Sequence, residues 1–559
     1  MTSPGASKGG PCMNEQYFQI YQYGMAAQLK ELTLDEMVEY VLNHLHNFLL
    51  DESVSFCFIE RFANDPETGK HTQATRALLY LLDKALQLRP FRPGLLGAVV
   101  KLTGNTAAQQ RMDLIAERNL DKEIYDQISG LDIKKDAEDV ATFIAQLIKA
   151  HPDHIAAAQF ALTVDRHLGI PYGHWRDDFV CPQAIRRDWD IALFNHHASL
   201  CDYDSARKIW DSLHMDMVRE TSLNMAAEMF IASGDRAKGI ALYKASLEQD
   251  PRQTPVRLRV RELEHPFQPD ASLTDSSSVS ICLYSWNKGE ILGQTLQSLS
   301  RSNIGSATLH ILLNGCTDDS RAIVDAACPL FPNNKVVIHD LHVNIGAPAA
   351  RNWLMRLPEV QESQYIAFLD DDVTVPENWL ASFLTVAEQD DSIGVVGCKI
   401  VHPGMPSLIQ YLFRYVAIAD HGLLKMSIHS PLGSYDTHSY DYIRETRNVM
   451  GCLHLLRTSA VKNIKAGFDI RFSPSQVDDI DHDIAVCLEG HKVMYCGLVT
   501  CVHHQSSGVN FKRINDNIAA TGSTMGNDIK FYFKHLEHMH AVKALDNLSL
   551  DLGVRLPEF

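Results

Sequence analysis

From Glu15 to Arg261 the apolar residues recur at helical spacing, as in TRALLYLLDKALQ and SARKIWDSL, and segments alternating with period two are scarce. An all-α half is therefore expected over residues 15–264. At His265 to Ser278 the run HPFQPDASLTDSSS combines Pro, Ser and Asp without apolar periodicity, which reads as a linker over 265–278. Beyond it the pattern changes. Short apolar or β-branched strands alternate with amphipathic helices: VSICLYSW, a helix over Gly289 to Ser300, HILLNG, a helix near Thr317 to Ala327, KVVIHDL, a helix over Pro348 to Leu357, then YIAFLDDD. This α/β order predicts a Rossmann-like, mainly parallel sheet over 279–508, with ligands at the carboxyl ends of its strands. The aromatic and basic run IKFYFKHLEHMHAVKAL predicts a helical extension within 509–559 that packs on the α/β domain, touches a membrane surface through Lys530, Lys534 and their neighbours, or closes over a bound substrate.

Within the helical half, Cys201-Asp202 through Trp210 aligns with Gly234-Asp235 through Tyr243, an offset near that of a helix-pair repeat. In the second copy Ala227, Phe230, Gly234, Gly239, Tyr243, Ala245 and Pro251 resemble the tetratricopeptide pattern, which implies a repeat-like domain able to bind a protein partner. A plain helical bundle is the simpler alternative.

Composition narrows the function. The formal net charge of −18 argues against a nucleic-acid surface, which needs clustered Lys and Arg. No apolar run approaches the ~20 residues that cross a bilayer. The opening MTSPGASKGGPCMNEQ lacks the pattern of a secretion signal, and its Gly, Ser and Pro predict a disordered lead over residues 1–14. The twelve cysteines include no CxxC pair, and Cys282, Cys316, Cys398 and Cys487 sit in apolar runs as small hydrophobes. A cytoplasmic location is expected, with peripheral contact at the inner face of a membrane also allowed.

The chemistry concentrates in YIAFLDDDVTVPENW, where an apolar strand ends in Asp370, Asp371 and Asp372. In extended chain the first and third carboxylates share a side. Like charges about 4 Å apart repel by roughly 4 kcal/mol at an effective dielectric near 20, so the cluster calls for a cation, and oxygen ligands select Mg²⁺ or Mn²⁺. For three aspartates alone, a solvated acidic turn or an incidental Ca²⁺ site reads equally well.

The order of motifs decides. VSICLYSWNKGEIL, HILLNGCTDDS, NIGAPAARNWLM, the aspartate run and KAGFDIRFSPSQVDDIDHDIAVCLEGHKVMY together resemble the family 2 glycosyltransferases of the GT-A fold over about 230 residues. The resemblance implies an inverting, hexosyltransferase-like enzyme with Mn²⁺ or Mg²⁺, a nucleotide-sugar donor and a glycan, lipid-linked or protein acceptor. It assigns the metal to Asp370, Asp372 and a histidine at the end of the last strand. His503 and His504 adjoin there and face opposite ways, and His503 is the choice. Donor binding falls by the same likeness to Asn287, Asn314, Arg351, Asp370 and Asp371, although Leu313 stands where the family often has an acid. Arg351 serves either the donor phosphates or its own scaffold. Asp479 takes the position of the catalytic base, with Asp478 and Asp481 as rivals; the same DDIDHD run also suits a helix N-terminus. The non-enzyme alternative is an inactive transferase-like adaptor binding partners through its helices.

Overall fold

The computed structural model describes residues 29–30, 32–117, 133–418, 425–426, 431, 434–504, 518–545 and 556–559. The expected lead over 1–14 and the stretch 505–508 lie outside them. Helices occupy the first half: α1 (Leu34–Asn47), α2 (Glu52–Asn64), α3 (Thr72–Leu88), α4 (Pro93–Thr103), α5 (Thr106–Glu117) and α6 (Ile133–Ala150). They continue as α7 (Ile155–Leu168), α8 (Arg186–Ser199), α9 (Tyr203–Trp210), α10 (Glu220–Ala232), α11 (Arg236–Gln249) and α12 (Thr254–Glu264). Local signals set several boundaries. Thr33 and Glu36 form a reciprocal capping box before α1.

The aligned segments start their helices alike: Cys201 (φ 56°) and Gly234 (φ 88°) are both left-handed, and the next residue, Asp202 or Asp235, accepts from the backbone N–H three residues on. Helices α10 and α11 meet closely at Gly239, where an added Cβ would lie 2.4 Å from Ile231 Cγ1 and 2.8 Å from the Ala227 carbonyl. Tyr243 Oη donates to Glu228 at 2.6 Å, and Arg259 of α12 grips the same carboxylate at 2.7 and 3.1 Å.

The linker is docked rather than free. The Asp270 N–H donates to Thr385 Oγ1 at 2.8 Å, Leu273–Ser276 form a single helical turn, and Gln364 N–H donates to the Ser278 carbonyl at 2.9 Å.

The second half carries strands β1 (Val279–Ser285), β2 (Thr308–Asn314), β3 (Val336–Leu341), β4 (Tyr365–Leu369), β5 (Val373–Thr374) and β6 (Ile393–Val401). Then come β7 (Ile409–Tyr411), β8 (Val416–Ile418), β9 (Lys425–Met426), β10 (Ile443–Thr446), β11 (Leu453–Arg457) and β12 (Lys492–His503). Helices α13 (Gly289–Ser300), α14 (Ser320–Ala327), α15 (Ala347–Met355), α16 (Trp379–Ala387) and α17 (Asp478–Leu488) cover the sheet, and α18 (Ile518–His535) follows. The strand order is β10-β12-β6-β11-β4-β1-β2-β3. Strands β3, β2, β1 and β4 are mutually parallel as the alternation predicts. The sheet as a whole is mixed, because β11 enters antiparallel between β4 and β6. Strand β11 arrives after the long 402–452 excursion instead of a helical crossover, so nothing constrains it to run parallel.

Alternate residues of β1 and β2 feed different cores. Ile281, Leu283, Leu309 and Ile311 join one face, and Cys282 and Leu312 the other. That second face is completed by the helical half: Phe48 stacks on Phe413 with centroids 4.7 Å apart, Arg444 donates to Asn47 Oδ1 at 2.7 Å, and Leu49 N–H donates to Tyr440 Oη at 3.1 Å. Among the described residues no helix is long and apolar enough to cross a membrane.

Candidate active site

Strand β4 is buried along its length and ends at Leu369, directly before Asp370. Its neighbour β1 ends at Ser285, so the turn Ser285–Gly289 lies beside the three aspartates. Asp371 turns inward, where it accepts from Ser285 Oγ at 2.6 Å and Lys288 Nζ at 2.9 Å. Lys288 also donates to Asp372 Oδ2 at 2.9 Å. Thr295 of α13 clamps the turn, donating to the Asp371 carbonyl at 2.9 Å and accepting from Val373 N–H at 3.1 Å.

Strand β12 brings in the histidines. Val502 and His503 pair with Thr374 and Val373 of β5, so the end of β12 lies against the chain just past the aspartates. His503 Nε2 stands 3.1 Å from Asp372 Oδ1, and its Nδ1 meets Gln410 Oε1 at 3.0 Å. His504 points the other way, to Thr374 Oγ1 at 2.9 Å, as alternation along a strand requires. Ligand atoms of Asp370, Asp372 and His503 all lie within 4.8 Å of one another.

The donor set fits a divalent ion. Two carboxylates and an imidazole suit a hard cation such as Mn²⁺, and a partner at one ring nitrogen that orients the other toward the ion is the usual support of a metal-bound histidine. A second acidic cluster, Asp436, His438 and Asp441, already has a cation in the buried Lys399, which lies 2.6 Å from Asp436 and also pairs with Asp441.

Electrostatics separate the three aspartates. Burial pushes the Asp371 carboxyl up to about 6, with Lys288 and Ser285 pulling against it. Asp370 is likewise raised by burial. At Asp372 burial opposes ionisation, yet His503 and Lys288 together hold its carboxyl well below the usual range.

The acidic helix start lies across the Gly451–Cys452 segment. Asp370 N–H donates to the Cys452 carbonyl at 2.9 Å, and Gly451 N–H donates to Asp479 Oδ2 at 3.0 Å. An added Cβ at Gly451 would lie 3.0 Å from Arg351 Nη2 and 3.1 Å from Asp479 Cβ, so a side chain there would press on both.

The three rivals for the base differ sharply in surroundings. Asp478 is 3% exposed and accepts from Arg351 at 2.6 Å; burial pushes its carboxyl up to about 6 against the pull of Arg351. Asp481 is fully buried and paired with Lys534 at 2.5 Å and His535 at 2.9 Å. Asp479 alone of the three is half-buried.

The remaining expected donor ligands have protein partners. Arg351, 5% exposed, reaches Asp478, Asp370 at 3.4 Å and the Gly451 carbonyl at 3.2 Å. Asn314, 2% exposed, donates to Asn344 at 2.9 Å and accepts from Ile345 N–H at 3.0 Å. Asn287 is left-handed at φ 52° and accepts from Thr317 N–H at 2.7 Å, tying the turn after β1 to the turn after β2.

Lys288, Ser285, Gln410 and Gly451 were not singled out from sequence. A cation in the turn of a strand paired with β4 was a usable signal for Lys288. Gln410, in the long 402–452 excursion, carries none.

Residues 280–464 match the model of Glycosyl transferase family 2. Over 129 residues the chain is 30% identical to the succinoglycan biosynthesis protein ExoM of Rhizobium meliloti (strain 1021), which covers 22% of this chain and 39% of ExoM. The chain thus spans about two fifths of that relative's length. Solved structures similar to it include GalNAc-T7 with UDP, GalNAc and Mn²⁺ (TM-score 0.36, 14% identity, 47% of this chain and 50% of that one). Another is the mannosyltransferase PcManGT from Pyrobaculum calidifontis in complex with GDP-Man and Mn²⁺ (TM-score 0.33, 14% identity, 56% of this chain and 87% of that one).

Proposed function

We propose that residues 280–464, which match the model of Glycosyl transferase family 2, form with α17 and β12 a domain that moves a sugar from a nucleotide-sugar donor to an acceptor hydroxyl with inversion. The observation that carries the reading is the convergence of Asp370, Asp372 and His503 on one side of the Gly451–Cys452 segment, with Asp479 attached to its other end.

Asp370, Asp372 and His503 would hold a divalent ion. When bound, it supplies positive charge to the departing nucleoside diphosphate. Lys288 bridges Asp371 and Asp372 and offsets part of their charge. The Asp479 carboxylate, fixed by the N–H groups of Gly451 and Ile480, accepts the proton of the acceptor hydroxyl as it attacks the anomeric carbon. Single displacement with one base predicts a product anomer opposite to that of the donor. The full set of acidic and histidine groups favours activity over the inactive-adaptor alternative.

The test is hydrolysis and transfer with UDP-, GDP- and dTDP-sugars, with and without Mn²⁺, on the full chain and on Asp372→Ala. Metal-dependent release of one nucleoside diphosphate, lost in Asp372→Ala, is expected. Release that ignores both the metal and Asp372 would refute the assigned site, as would a product of retained configuration.

A further inference from the structure

Large apolar side chains are mostly buried, and those that are exposed are not scattered evenly. Ile470 (61% exposed), Ile529 (38%), Phe533 (63%) and Leu536 (45%) stand together on the C-terminal helix and the loop it is tied to. Ile529, Phe533 and Leu536 follow the helical spacing of a single face. The opposite face fixes which way they point. Phe531 and His535 are buried, Lys534 pairs with Asp469 at 2.9 Å and Asp481 at 2.5 Å, and Asn527 Nδ2 lies 3.1 Å from each of the Phe472, Ser475 and Gln476 carbonyls. Lys530 Nζ donates to the Arg471 carbonyl at 2.7 Å, joining the helix to the loop that bears Ile470. Helix α18 is therefore anchored with an apolar ridge facing outward.

The ridge continues into a groove of about 850 Å³ between α15 and residues 466–471, whose walls include Ile345, Ala349, Trp353 and Ile470. Cations fringe this face: Arg356, Lys462, Lys465, Arg471, Lys530 and Lys543 are exposed, in a protein whose net charge is −18. Of the acids on this face, Asp469 is buried and already paired with Arg471 and Lys534, and Glu537 is exposed beside Leu536, so the six cations outnumber the exposed acid. A contiguous apolar surface rimmed by cations on an otherwise acidic molecule is complementary to an anionic lipid bilayer, where side chains such as Phe533 enter the acyl boundary and the cations meet headgroup phosphates.

We propose that this face, α18 with the 462–471 loop and the groove against α15, docks the protein on an anionic membrane surface. The same loop leads in sequence to Asp478 and Asp479 at the start of α17, so a protein docked by this face would suit a lipid-borne acceptor. That corollary rests on the transferase reading above; the docking itself does not.

The experiment is flotation of the full chain with vesicles of phosphatidylcholine alone or doped with phosphatidylglycerol, at low and high salt. The exposed-site variants Ile529→Ser/Phe533→Ser and Lys462→Glu/Lys465→Glu are run alongside, with circular dichroism and thermal melts to establish folding. Flotation with the anionic vesicles that weakens with salt, and that falls roughly fivefold or more in each variant, is expected. Absence of flotation with either vesicle, or flotation unchanged in both folded variants, overturns the proposal. So does a wild-type dimer in size-exclusion that Ile529→Ser/Phe533→Ser converts to monomer without any flotation, because the ridge would then face a second copy. Donor hydrolysis needs no vesicles, so failure here and failure of the transferase reading are separable.

Discussion

Single side chains at this site divide between chemistry and support, and burial separates them. Arg351 reaches Asp478, Asp370 and the Gly451 carbonyl from inside the protein. Replacing it with Met leaves Asp478 buried without its partner, so Arg351→Met is expected to cost about 3–5 kcal/mol in denaturant unfolding. Asp479→Asn keeps the hydrogen bond from Gly451 N–H but removes the basic oxygen. It should lower transfer by 10²-fold or more with donor affinity unchanged, separable by kcat against a binding titration. Asp481→Asn should do the reverse, lowering the melting temperature while retaining activity per folded molecule, because its partners are Lys534 and His535. Much at this scale was legible in sequence. An acidic run at a strand end, a histidine at the end of a later strand and an acidic helix start are each made of consecutive residues. What sequence left open was which neighbour faces the site. Strand pairing puts His503 beside Asp372 and His504 against Thr374, and tertiary ion pairs set Asp478 and Asp481 apart from Asp479. The partners Arg351–Asp478 and His503–Gln410 lie 127 and 93 residues apart, beyond any local pattern.

Elements predicted by periodicity sit where the pattern placed them. Helix α13 spans Gly289–Ser300 and β1 to β4 follow the four apolar runs, because each is bounded by a turn and buries alternate or helically spaced residues. The mixed character of the sheet was not legible, since strand direction depends on what connects β4 to β11. At this scale α18 acts as a brace on the loop before Asp478, through Asn527 and Lys534. Asn527→Ala removes an amide shared by three carbonyls and should speed hydrogen exchange in residues 472–478 ahead of the rest of the domain. Acid should loosen the same brace. Asp469 loses some of its preference for ionisation to burial, but Arg471 and Lys534 hold its carboxyl below the ordinary value. With a folded value below the unfolded one, its contribution is present above the unfolded carboxylate range and is lost as pH falls through the folded value. Protease sensitivity in α18 is therefore expected to stay level near neutrality and to rise only in strong acid, below the ordinary carboxylate range.

For the whole molecule, the two halves share a core. The helical half covers the face of the sheet built by Phe413, Tyr440, Tyr442 and Tyr495, and Phe48 alone buries a ring worth roughly 1.5–3 kcal/mol. Its sequence predicts a repeat-like domain followed by a linker. The linker run is polar enough to be free, and only the tertiary contacts of Asp270, Thr274 and Ser278 reveal that it is docked. A chain starting at residue 265 should therefore aggregate or melt well below the full protein, an outcome read directly by light scattering and thermal unfolding. The central claim concerns the centre formed by Asp370, Asp372 and His503. Its most direct measurement is calorimetric titration of a nucleoside diphosphate into the full chain with Mn²⁺, with chelator, and into folded Asp372→Ala with Mn²⁺. Binding that requires Mn²⁺ and falls at least tenfold in Asp372→Ala is predicted; equal binding in all three would contradict a metal-bridged donor site.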